Sequence, residues 1–227
     1  MAPLAFTTGE SCGHPSHDDA GNPTDPSAAA IDSRTPRCAR TDESGSVRTT
    51  YESMLNQDPI SQITFLRHFT DTRNLPLIRR LGGLYSRAKL KEIGATDVFF
   101  GGTQWSLDAD EMFGLDGYVH LCFRGNHPME HIATVEGRIQ QSVFLYVEAS
   151  ILWEGGVLYT PGVSNKSGMP TFTIEEARQM IDYEVLYTRT DWADPAIQAR
   201  LQAAEKAEIL VPDYVPMKYL EKHFPNG

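Results

Sequence analysis

Three short stretches of this chain carry side chains whose types and spacing could do chemistry. In EKAEILVPDYVP, residues 205–216, one carboxylate, Glu208, abuts the apolar run Ile209-Leu210-Val211, and Pro212 and Pro216 break the chain behind it. Such a glutamate sits either solvated on the polar face of an edge strand or at the rim of a pocket. Glutamate is rarely buried without a partner, which favours the edge strand. A catalytic glutamate needs a dry wall and a nearby hydrogen-bond donor, and the apolar run could supply the wall. In RHFTDTRNL, residues 67–75, a strand ends in His68-Phe69-Thr70 and turns toward a helix. Backbone N–H groups and a hydroxyl beside an imidazole suit an anionic or nucleotide ligand. The ordinary alternative is a core histidine bonded to a neighbouring carbonyl, with a helix cap at Thr70 or Thr72. In LDGYVHLCFRGNHPM, residues 115–129, a strand leaves into Arg124-Gly125-Asn126-His127-Pro128-Met129 and brings polar, aromatic and sulfur side chains to one sheet end. The alternative there is a surface loop with His127 solvated and Pro128-Met129 opening a helix.

Strands and helices must hold these groups in place. Residues 63–70, ITFLRHFT, are β-branched and aromatic over the length of a strand. A short helix is predicted after a cap at Asp71 or Thr72, with Leu75, Ile78 and Leu81 at three-residue steps and Gly82-Gly83 as its stop. Residues 117–123 and 141–149 read as further strands, the second with clear alternation, and VLYTP is short and strand-like. Thr173 can cap a helix over TIEEARQMI, with Glu175 and Glu176 in its first turn. DPAIQARLQAAEKA is rich in helix formers, and EILV is a late strand. No internal repeat is present. Strands and helices mix without regular alternation, which predicts an α+β or split-sheet fold over a doubly wound one.

Composition narrows the class. The 227 residues suffice for one ordinary domain and more. A 41% hydrophobic content is that of a globular protein. Residues 1 to about 50 are rich in Gly, Pro, Ser, Thr, Asp and Ala and lack a periodic apolar pattern, so they cannot bury enough surface to offset chain entropy. We read 1–55 as a disordered leader and 56–227 as the folded domain. Cys12, Cys38 and Cys122 lack metal-ligand spacing, which argues against a zinc site or a disulfide framework. Apolar runs are too short for a membrane span, and MAPLAFTT lacks the basic start of a secretory signal. The expected location is the cytoplasm. The formal net charge of −10 argues against a nucleic-acid coat protein, which needs clustered Lys and Arg. Half of it falls in residues 1–62, so a local basic groove remains open in the rest.

Taken in order, HFTDTRNL, then DGYVHLCF with its downstream HPM, then KAEILVPDYVP resemble the DarT family of DNA ADP-ribosyltransferase toxins. That family shows a His-x-Thr…Asn-Leu opening, an Asp-Tyr-Val-Pro-Phe-Tyr-Phe…Ser-Pro-Met strand and a late Gln-Ala-Glu-Phe-Leu-Val…Pro segment. The resemblance covers about residues 63–222. It implies an α+β ADP-ribosyltransferase fold, a split mixed β-sheet with flanking helices that grips NAD in a central cleft. It implies that His68, Phe69, Thr70, Tyr85 and Tyr118 bind NAD, with Asn74-Leu75 in the supporting helix, and that Glu208 is the catalytic carboxylate. It implies a toxin that modifies a base in single-stranded DNA, restrained by a macrodomain-type antitoxin, without metal and away from membranes.

The chain also departs from the family. Family members carry an arginine before the Asp-Tyr-Val strand that is thought to assist catalysis; DVFFGGTQWSLDADEMFGL has none, and Arg87 upstream is the nearest candidate. His120 and His127 are atypical, which leaves the target base open. An ADP-ribosyltransferase of the same fold acting on RNA or protein is the second reading, and a nucleotide-binding module without turnover the third. An NAD-dependent RNA 2′-phosphotransferase works without a catalytic glutamate, so Glu208 counts against it.

Overall fold

The computed structural model describes residues 58–125, 127–188 and 191–225. The leader expected over 1–55, with Cys12 and Cys38, lies outside the described residues.

The chain builds two sheets. The larger has the order β4-β1-β3-β6-β5 and consists of β1 (Phe65–Asp71), β3 (Tyr118–Cys122), β4 (Ser142–Glu148), β5 (Leu158–Thr160) and β6 (Glu208–Pro212). The smaller pairs β2 (Gly83–Tyr85) with β7 (Tyr214–Pro216). Around them lie α1 (Leu75–Leu81), α2 (Arg87–Glu92), α3 (Gln104–Met112), α4 (Pro128–Val135), α5 (Ile174–Met180), α6 (Tyr183–Tyr187) and α7 (Pro195–Ala204). The fold is α+β with a split sheet, as expected. The mixed sheet of that expectation is antiparallel in every described pairing.

Register decides which residues meet. Leu121 pairs with Ile209, which pairs in turn with Tyr159, and all three are at most 1% exposed. One step along, Cys122 pairs with Glu208 and Glu208 with Thr160, so these side chains share the opposite face. β6 therefore runs inside the sheet between β3 and β5, and the edge-strand reading of Glu208 is corrected. The whole run Ile209-Leu210-Val211 is buried because an interior strand covered on both faces has no solvated side.

β1 and β3 meet at a single residue pair, Arg67 with Cys122, whereas β1 and β4 pair along seven. Beyond Arg67 the two strands splay. The imidazole of His68 enters the gap and Nδ1 donates to the His120 carbonyl at 2.9 Å, replacing a lost ladder bond. The core-histidine reading of His68 is thus correct for its hydrogen bond, and this wedge opens the sheet.

Local signals explain the helices beside this split. Asp71 accepts from the Arg73 N–H and caps a single 3-10 turn, and α1 begins after it at Leu75. Gly82 ends α1 in the left-handed region at φ 74°. Gly83 is required for a different reason, since a Cβ there would stand 2.3 Å from the Val215 carbonyl oxygen across the β2–β7 pair. Thr173 and Glu176 form a capping box at α5, and Pro128 opens α4, the helix that the alternative reading of that stretch placed there.

Candidate active site

A cavity of about 250 Å³ opens where β1 and β3 diverge, and β2, α1, α2, α3 and the loop at 98–102 complete its wall. The structure brings all seven candidate residues to this one wall: His68, Phe69, Thr70, Tyr85, Arg87, Tyr118 and Glu208. Residues more than a hundred positions apart in sequence meet because the β3–β6 ladder carries Glu208 back to the split.

Glu208 is buried at 6% exposure, and its two oxygens are treated differently. Oε2 accepts from the Ser164 hydroxyl at 2.7 Å and the Ser164 N–H at 3.4 Å, and lies 3.2 Å from His120 Nδ1. Oε1 has no hydrogen bond among the described residues, and His127 Nε2 lies 3.7 Å from it. Burial alone would raise the carboxyl's pKa, but the bond and charge of His120, with His127 and Ser164, hold it below its ordinary value. The group is an anion kept dry, and one of its oxygens is available to a ligand.

The geometry also assigns protons. His120 Nε2 lies 3.2 Å from the Leu115 carbonyl, which can only accept, so Nε2 carries a hydrogen. Nδ1 faces the Glu208 carboxylate and, at 3.3 Å, the oxygen of Ser164, whose own hydrogen already goes to Glu208. Nδ1 must carry a hydrogen too, so His120 is an imidazolium. Burial opposes this charge; the Glu208 bond and charge, with the Asp110 charge, outweigh it and raise the pKa. His68 is the opposite case. Burial lowers its pKa and leaves it neutral, and with Nδ1–H given to the His120 carbonyl its Nε2 is an acceptor.

Thr70 and Asn74 shape the wall. Asn74 donates to Thr70 Oγ1 at 2.9 Å and grips both backbone groups of Phe99, donating to its carbonyl and accepting from its N–H. This clamp fixes the loop that closes the cavity opposite the sheet. Tyr85 lines the cavity and stacks across the small sheet on its register partner Tyr214, with centroids 5.2 Å apart. Arg87 reaches the cavity, but its guanidinium donates to the Leu107 carbonyl and to Glu111 at 2.7 Å, which ties it to α3. Burial pushes the Asp110 carboxyl up, and its Oδ1 has no hydrogen-bond partner among the described residues.

The surface-loop reading of His127 is corrected: it is 4% exposed, stacked on Phe69 at 6.0 Å. Sequence reasoning missed Ser164 and Asp110 and treated His120 only as atypical. Ser164 sits in the loop after β5 with no periodicity to mark it. Asp110 is one of several acids on α3, and which of them turns inward is set by packing. Among the described residues no cluster of three or more His, Cys, Asp or Glu side chains could hold a metal ion, and no helix is long and apolar enough to cross a membrane.

The family model described as "ssDNA thymidine ADP-ribosyltransferase, DarT" matches residues 67–223. Among solved structures, Thermus sp. 2.9 DarT in complex with ADP-ribosylated ssDNA is similar at 20% identity and a TM-score of 0.54, over 70% of this chain and 80% of that one. Thermosipho africanus DarTG in complex with ADP-ribose is similar at 18% identity and a TM-score of 0.51, over 69% of this chain and 42% of that one. At these identities the likeness establishes the fold. No curated protein sequence matches the chain.

Proposed function

The chain belongs to the DarT family of ssDNA thymidine ADP-ribosyltransferases, and on that premise we propose that it transfers ADP-ribose from NAD to a thymine base in single-stranded DNA, with Glu208 as the catalytic carboxylate. The observation that carries this reading is the division of the Glu208 carboxylate, with one oxygen anchored by Ser164 and His120 and the other open to the cavity.

The residues fit NAD as co-substrate. The wall is mostly apolar and aromatic, and it holds the free Glu208 oxygen and two buried polar atoms, His127 Nε2 and Asp110 Oδ1, without hydrogen-bond partners among the described residues. Such orphans are rare in folded proteins unless a ligand completes them. His68 and Thr70 hold the adenosine side, Phe69, Tyr85 and Tyr118 complete the NAD-binding wall, and Tyr118 lies beneath the nicotinamide.

In the transfer the bond between ribose and nicotinamide breaks, its electron pair leaves with nicotinamide, and positive charge grows on the sugar. The Glu208 anion hydrogen-bonds a ribose hydroxyl through Oε1 and stabilises that charge. A nitrogen of the base forms the new bond to the sugar and loses its proton, which Glu208 takes as general base. The apolar residues beside Glu208 keep water from capturing the cation. Base pairing and stacking hide the attacking nitrogen in a duplex, so an unpaired strand is the natural acceptor. Arg87, anchored to α3, orients the acceptor or donor at the cavity edge. The same reading includes action in the cytoplasm as the toxin of a pair, restrained by a macrodomain-type antitoxin.

The test is incubation with labelled NAD and five acceptors: single-stranded oligonucleotides with and without thymidine, a duplex, an RNA and a protein mixture. The expected product is label on the thymidine-bearing single strand alone. Label only on RNA or protein would move the acceptor to the second reading, and NAD binding without any transfer would favour a binding module.

A further inference from the structure

We propose that His127 is a catalytic residue of this chain: its Nε2–H donates to the same ribose hydroxyl that Glu208 Oε1 accepts from, so that one substrate hydroxyl is held by a donor and an acceptor together. This rests on the ADP-ribosyl-transfer reading of the site, and four observations carry it.

First, the His127 side chain is 3% exposed, and Nε2 has no hydrogen-bond partner among the described residues. Second, Nδ1 accepts from the Met129 N–H at 3.4 Å as the cap of α4, which puts the hydrogen of the neutral ring on Nε2. Burial holds the ring neutral against the pull of Glu208. Third, Nε2 and Glu208 Oε1 stand 3.7 Å apart. That is too long for a direct hydrogen bond, but it is a spacing that one oxygen, off the line joining them and about 2.8 Å from each, can bridge. A hydroxyl is the group that can donate to the carboxylate and accept from the N–H at once. Fourth, His127 stacks on Phe69 at 6.0 Å and is capped into α4, so two elements fix its ring.

The consequence is orientation. Receiving the His127 hydrogen bond polarises the hydroxyl and strengthens its donation to Glu208. It also keeps Oε1 aimed at the sugar while Oε2 stays with Ser164 and His120.

The test compares wild type with His127→Asn and His127→Phe on NAD and on NAD lacking either hydroxyl of the nicotinamide ribose. Asparagine is a favoured helix cap, so His127→Asn keeps α4 closed while its shorter amide no longer reaches the hydroxyl. The expected result is a roughly tenfold fall in kcat/KM on NAD, the scale of one neutral hydrogen bond. That fall should vanish on the one analogue whose missing hydroxyl is the bridging group. Equal falls on NAD and on both analogues would show a merely structural role and overturn the proposal, as would unchanged rates in a folded His127→Asn. Should wild type bind NAD but transfer nothing, the proposed function fails, and the same comparison in Kd decides for His127. No NAD binding at all overturns both.

Discussion

At the scale of single side chains, Glu208 is kept ionised by neighbours instead of by water. Its partner His120 is protonated for the reciprocal reason, and Asp110 and His127 face the same pair. The two signs bound a pH window. Glu208, depressed below 4.5, contributes stability that is present above that value and lost as pH falls through its folded pKa. His120, raised above 6.5, contributes stability that is complete below that value and lost as pH climbs through its folded pKa. Replacing His120 by Gln removes the cation. The acidic limb of the transfer profile should then move upward in pH, and stability at neutral pH should fall by about 1–3 kcal/mol, less than the roughly 3–5 kcal/mol for breaking a fully buried pair because the His120 side chain is 31% exposed. A pH-rate series with urea melts measures both, and an unmoved acidic limb would mean that His120 does not tune Glu208. Glu208 and His68 were legible as chemistry because each interrupts an apolar pattern. Their surroundings were not, because Ser164 reaches Glu208, and Asp110 comes to face His120, only through long-range packing that no local window contains.

Among elements, long periodic segments were readable and short ones were not. β1, β4 and α7 carry enough alternation or helix formers to announce themselves. β2 and β7 have three residues each, α2 has six and is separated from β2 by one residue, and α3 follows a loop with little apolar period. Gly82-Gly83 read as a helix stop, yet only Gly82 serves that role; Gly83 exists for the close approach of β7. Two alanine substitutions separate the two functions. Gly82→Ala should cost about 1 kcal/mol for a left-handed residue with open space around it. Gly83→Ala should cost more, about 2–4 kcal/mol, because the clashing atom is backbone and the small sheet must shift. The small sheet carries Tyr85 to the cavity, so Gly83→Ala should also weaken NAD binding. Chemical denaturation and calorimetry test this ordering, which equal costs would contradict.

For the whole molecule, the split between β1 and β3 links fold to function. The sheet that fills the core with Ile209 and Val211 presents Glu208 on its other face, and the same divergence that admits His68 makes room for a ligand. This could be anticipated only through the family resemblance, since strand order and the single β1–β3 pair are long-range features. A net charge of −10 is unusual for an enzyme that acts on DNA, but half of it lies in residues 1–62. Elsewhere positive charge is local, as where Arg67 lies over Tyr146 at 3.9 Å. The central claim is that a dry, ionised Glu208 drives transfer, and one comparison tests it most directly. Labelled NAD and a thymidine-bearing single strand are given to wild type and to Glu208→Gln, which keeps the shape and removes the charge. Transfer should fall by about a hundredfold or more while NAD affinity stays within a few-fold. Wild-type transfer rates from a folded Glu208→Gln would contradict the account.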